Sequence, residues 1–177
     1  MNVKTEVRKL VYTALLAALT VVLSAVVIIP VGPTKVQPMQ HMMNVVAGIL
    51  LGPFYATLGA VVTGLVRFFL GTGTVFAFPG GIPGALVVGL AYKYIKKDWV
   101  GLLEPIGTGP IGATLSVFLV APLIDRTMSL WTFQVAFLAS SIPGSIIGLV
   151  LVLALKKAKV DEIIRLQPPP GTKGSSR

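Results

Sequence analysis

The side chains able to do chemistry in this chain are few, and most stand among apolar neighbours. Gln37, His41 and Asn44 are spaced i, i+4 and i+7, one stripe along a helix. Arg67 ends the uncharged run from Val36 to Val66, and Glu104 opens the segment EPIGTGPIGA. Gln134, Ser141 and Ser145 form a second polar stripe, with Trp131 near its start. These are donors and acceptors fit to hold a small molecule. They do not form a catalytic set: the sequence has one histidine, no Ser/His/Asp arrangement, no HExxH and no P-loop. With no cysteine there is no sulfur nucleophile, thiolate metal site or disulfide. No catalytic residue, metal or cofactor is expected. Gly107, Gly109 and Gly112 spell GxGxxG, but that fingerprint needs a preceding strand and a helix opening onto solvent. Here it lies inside an apolar run with Pro110 at its middle, so a dinucleotide site is not expected.

The elements that must position these groups follow from composition. Of 177 residues, 54% are hydrophobic and 12% charged, and the mean hydropathy is +0.87. Such a chain needs lipid around it. A helix needs about 20 apolar residues to cross the hydrocarbon core, so six crossings use about 120 residues and leave no room for a soluble domain. Leu10–Ile29 carries no charge, is too long for a signal peptide and is followed by further apolar segments, so it is expected to stay as the first helix.

The stretch Val36–Val66 is either one tilted span or a hairpin broken at Gly52–Pro53, and the basic residues decide between them. With a hairpin, Lys4, Arg8, Lys9, Lys93, Lys96, Lys97, Lys156, Lys157, Lys159, Arg165, Lys173 and Arg177 share one face, which is twelve of the fifteen Lys and Arg. A single span would split them, against the positive-inside bias. The expected fold is therefore all-α, a polytopic membrane protein with six transmembrane helices and both termini cytoplasmic. The helices fall at about 8–30, 39–51, 54–70, 81–97, 100–121 and 131–156, in a single membrane domain over 1–160. The net charge of +9 then reflects orientation, with membrane lipid and no nucleic acid as its partner. A cytoplasmic tail covers 161–177 and, after Pro168–Pro170, has nothing to bury, so disorder is expected from about 167.

On this map Gln37, His41, Asn44, Arg67 and Gln134 converge at one outer depth. A central charge costs about 2.5–3.5 kcal/mol, so such groups are ligand-binding candidates. The plain alternatives are a histidine satisfied by a nearby carbonyl and an arginine that snorkels to water. Glu104 falls near the inner end, roughly 15–20 Å from Arg67 at the helical rise per residue, and is the weaker candidate. The outer connections Val31–Pro38 and Gly71–Gly81 combine Gly and Pro with Phe76 and Phe78, whose rings are candidates to cover a flat ligand. Small residues recur every four positions at Ala14/Ala18, Gly48/Gly52, Ala56/Ala60/Gly64 and Ser140/Gly144/Gly148. Internal packing accounts for most of these, with Ala14 and Ala18 held back as a docking face for another subunit.

Four segments together resemble a known family: ALLAALTVV, QHMMNVVAGILLGPFYA, RFFLGTGTVFAFPGGIPGALVVGLAYKY and EPIGTGPIGA. The chain resembles the substrate-binding S components of energy-coupling-factor (ECF) vitamin transporters, and among them the ThiW type, over residues 8 to 156. The resemblance implies a prokaryotic plasma-membrane protein that binds a small heteroaromatic vitamin precursor from outside, hydroxyethylthiazole first. Partners would be a transmembrane coupling subunit, met at Ala14 and Ala18, and two ATPase subunits. Thr108, within EPIGTGPIGA, joins the ligand-binding candidates. Phe68 and Pro83 depart from the pattern, so hydroxymethylpyrimidine, thiamine and riboflavin stay open as ligands. A small membrane enzyme built on His41, Arg67 and Glu104 is the competing class, and a packing scaffold the third.

Overall fold

The structure, a computed structural model, describes residues 3–31 and 34–160, without the side chains of 30, 31, 34 and 35. The expected disordered tail lies outside the described residues. Helix α1 (Val3–Val26) leads into a short antiparallel ribbon, β1 (Ile29–Val31) and β2 (Thr34–Val36), with Ile29 opposite Val36. There follow α2 (Pro38–Leu50), α3 (Pro53–Phe69), α4 (Ala77–Ile95), α5 (Asp98–Leu123) and α6 (Leu130–Lys157). The six expected helices are present. The ribbon was not expected: it takes Ile29 and Pro30 from the end of the first expected helix (8–30) and continues into the Val31–Pro38 connection.

The burial pattern inverts that of a water-soluble bundle. Outward-facing side chains are apolar, among them Leu15, Val22, Phe118, Leu119, Val150 and Leu153, while Thr13, Thr20, Ser24, Gln40, His41, Asn44, Arg67 and Glu104 are buried. That is the arrangement lipid demands, since polar groups there must find partners inside. Thr13, Thr20 and Ser116 find theirs on the carbonyls of Lys9, Leu16 and Gly112, four residues back. By length and composition α1, α5 and α6 are each sufficient to cross a bilayer, and α3 is a shorter apolar helix.

Helix α2 stands at the centre. It packs on α1, α3, α4, α5 and α6, and every residue but Met39 is buried. Its thirteen residues rise only about 20 Å, short of the ~30 Å hydrocarbon core. Pro38 opens it, and Gly52, at φ 93°, makes the turn into Pro53 at the start of α3. Few residues other than glycine accept that φ, so the hairpin break is written in the Gly-Pro pair.

Helix α5 is irregular. It begins as a 3₁₀ segment (Asp98–Leu103) and relaxes into π turns at Gly107–Gly112 and Ser116–Val120. Pro105, Pro110 and Pro122 each remove an N–H from its ladder. The GxGxxG glycines lie where α5 meets its neighbours: a Cβ on Gly107 would stand 2.5 Å from the Pro83 carbonyl oxygen, and one on Gly109 2.6 Å from Leu138. The motif is a close-packing face.

The basic end of the bundle gathers around the α2–α3 turn. Lys9, Lys93 and Lys96 border the same cleft as Gly52 and Pro53. Close by, Lys156 donates to the Tyr92 hydroxyl at 2.9 Å and pairs with Asp98.

Candidate ligand-binding site

At the opposite end, a cavity of about 290 Å³ opens between the starts of α2 and α4, the α3–α4 connection and α6. Its floor and walls come from Gln37, Gln40, His41, Arg67, Thr72, Phe76, Phe137 and Ser140, with Gly71, Gly73, Thr74, Ala77, Gly80 and Ala136 between them.

Arg67 comes from the last turn of α3, yet it is 1% exposed. It does not snorkel to water. Its guanidinium donates to the side-chain oxygens of Gln37 and Gln40 and to the Thr72 carbonyl at 3.2 Å. The glutamines are themselves held: Gln40 Nε2 donates to the Ala77 carbonyl at 3.3 Å, and Gln37 Nε2 to the Ser24 carbonyl at 3.2 Å. Helices α1, α2, α3 and α4 thus fix one cation.

A second cluster lies one turn further along α2. His41 lines the cavity and bonds Glu104 Oε1 through Nδ1 at 2.9 Å. The same oxygen accepts from Asn44 Nδ2 at 3.0 Å and Thr108 Oγ1 at 2.8 Å. Asn44 also donates to the Gly81 carbonyl, and Thr108 lies 3.1 Å from that of Gly80. Glu104 is 0% exposed, and its Oε2 has no hydrogen-bond partner. Room for the carboxylate comes from Gly84, where a Cβ would overlap Glu104 Oε1 and stand 2.5 Å from Thr108 Oγ1. With Nδ1 bonded to the carboxylate, the Nε2 edge of the imidazole is left for a ligand.

Glu104 is therefore not isolated at the inner end; its partner is His41 rather than Arg67. Two lengths explain this. Six residues of 3₁₀ helix carry Glu104 about 12 Å inward from Asp98, and nine residues separate His41 from the α2 terminus at Leu50, about 13.5 Å. A short α2 and a stretched α5 bring them level.

The other expected residues divide. Phe76 lines the cavity, its ring 4.7 Å from that of Phe133, which in turn meets Phe137 at 5.4 Å. Phe78 instead packs on Gly64 of α3, outside the cavity. Trp131 is 74% exposed and Gln134 half-buried, and neither lines the cavity. Gln134, Ser141 and Ser145 do share a stripe, but at about 100° per residue it is turned about a third of a turn from the face of Ala136, Phe137 and Ser140. Asn44, Glu104 and Thr108 support His41 from below without lining the cavity. Gln40, Thr72, Phe137 and Ser140 were missed. Gln40 carried a signal, because i+3 from Gln37 lies on the same helical face as i+4.

Ala14 and Ala18 are exposed on α1, whose buried face is Thr13, Ala17, Thr20 and Ser24. Ala56, Ala60 and Gly64 are buried in α3, as are Ser140, Gly144 and Gly148 in α6. Of the four sets, only the α1 pair faces wholly outward.

The six-helix arrangement is similar to one already solved. The chain matches the crystal structure of the S component for biotin from an ECF-type ABC transporter with a TM-score of 0.61. That match has 24% identity and covers 95% of this chain and 96% of the other. The sequence then places it more narrowly: residues 10–158 match the ThiW family, described as thiamine-precursor transporter protein, and the chain belongs to that family. No curated protein matches it. The family is one of transporter proteins, and the long apolar helices are those of a multi-pass membrane protein.

Proposed function

We propose that the chain is the substrate-binding subunit of an ECF-type ABC importer. It takes a small thiamine precursor built on the hydroxyethylthiazole skeleton from outside a prokaryotic plasma membrane. Uptake is driven by a transmembrane coupling subunit and two ATPases, the former docking on α1 at Ala14 and Ala18. The observation that carries this reading is the cavity itself. The aromatic rings of Phe76 and Phe137 share its lining with the polar side chains of His41, Arg67 and Gln40, within about 290 Å³. Ligand pockets run from about 300 Å³ upward for drug-sized molecules, so the cavity is at the small end of that range and suits a small ring compound better than riboflavin. Hydroxymethylpyrimidine is the nearest alternative.

Titration calorimetry on the purified protein tests this. Arg67→Ala and His41→Ala are each expected to weaken binding by about tenfold or more, the scale of a lost hydrogen bond to a charged or fixed group. If both variants stay within about twofold of wild type, the cavity is not the binding site.

A further inference from the structure

The walls of the cavity leave a charge unbalanced. Arg67 is buried, and its three bonds all go to neutral oxygens, those of Gln37, Gln40 and the Thr72 backbone. Its Nε, also buried, has no hydrogen-bond partner. Arginine keeps its proton in proteins. Arg67 belongs to neither of the pairs His41–Glu104 and Lys156–Asp98, and among the described residues no carboxylate is paired with it.

Two helix ends add the same sign. Gln37 and Phe76 are the N-caps of α2 and α4, and both residues line the cavity; neither start has a side-chain cap, but at α4 the Ala77, Phe78 and Gly80 amides already donate to the Thr74, Val75 and Phe76 carbonyls, so the α2 start is the stronger of the two. Helix N-termini carry partial positive charge and attract anions. Helix α3 ends here with the opposite sign, but the Thr72 and Gly73 amides turn back onto the Arg67 carbonyl at 2.9 and 3.0 Å and blunt it. Glu104, committed to His41, Asn44 and Thr108, does not line the cavity.

We propose that the ligand carries an oxyanion, a carboxylate or a phosphate monoester, seated on Arg67 between the starts of α2 and α4. This rests on the binding-subunit reading and narrows its substrate class: an acidic derivative of the hydroxyethylthiazole skeleton, in preference to the neutral alcohol. The ring then lies toward Phe76 and Phe137, with His41 Nε2 left for a ring or side-chain heteroatom.

Calorimetry with the alcohol, its phosphate monoester and its carboxymethyl analogue on the full chain decides the matter. An acidic form is expected to bind about tenfold or more tightly than the alcohol, and Arg67→Gln to abolish that preference. Which acid ranks first distinguishes phosphate from carboxylate. Inorganic phosphate is expected to raise the melting temperature of wild type above a chloride control at equal ionic strength, and not that of Arg67→Gln. Alcohol binding as tight as acid, or a preference surviving in Arg67→Gln, overturns the anion site and leaves the binding-subunit reading standing. Phosphate stabilisation with no ring compound bound overturns the thiazole reading and keeps the anion site. No stabilisation and no binding overturns both. Should Arg67→Gln not fold, the wild-type ranking of alcohol against acid decides alone.

Discussion

Single side chains around Glu104 have the least room for change. Gly84→Ala would force its Cβ into the buried Glu104 carboxylate and the Thr108 hydroxyl, which are held by their bonds to each other and to His41 and Asn44. Overpacking of this kind costs about 1–3 kcal/mol, so a lowered melting temperature in detergent and weaker ligand binding are both expected. Glu104→Gln keeps the volume but removes the anion that orients the His41 ring. Binding is expected to fall about tenfold with the protein still folded, read by calorimetry beside circular dichroism; unchanged affinity would show that His41 does not need the carboxylate. Much of this chemistry was legible as residue type and spacing: Gln37, His41 and Arg67 all reach the cavity. Partnership was not. A polar residue in an apolar run signals that it must be satisfied, but nothing in the sequence says by whom, and Glu104 met His41 only through the lengths of two helices.

Helices pass or fail as phases and rises. The α2–α3 break was readable because Gly-Pro has a local conformational meaning, whereas the path of α5 was not, since three prolines permit several irregular ladders. On α6 the polar stripe was real and misaimed. Its phase relative to the cavity depends on Gly144 and Gly148 seating against α2, where Cβ atoms would lie 2.7 Å from His41 Cβ and 2.8 Å from Val45 Cβ. Gly148→Leu is accordingly expected to lower the melting temperature sharply, by the same overpacking argument. On α1, Ala14→Arg points away from the bundle. Fold and ligand affinity are expected to match wild type while ATP-driven uptake in cells fails. Normal uptake by this variant would remove α1 as the docking face.

For the whole molecule, the count of six helices came from charge asymmetry rather than hydropathy, and the bundle does gather Lys9, Lys93, Lys96 and Lys156 at one end. Orientation is open to a direct measurement, helped by the absence of native cysteine. In intact cells Arg126→Cys is expected to react with a membrane-impermeant maleimide, and Lys97→Cys only after permeabilisation. The reverse labelling would invert the protein and place the cavity inside. The enclosed central helix also bears on how the protein is made. Leaving the ribosome, α2 is too short to be held by lipid and too polar to rest there, since His41 and Asn44 obtain their partners from α4 and α5, synthesised later. Its insertion has to be completed by segments that do not yet exist, so biogenesis waits on the C-terminal half. A nascent chain stalled before α5 would present an unfinished polar helix, the kind of intermediate that membrane quality control removes.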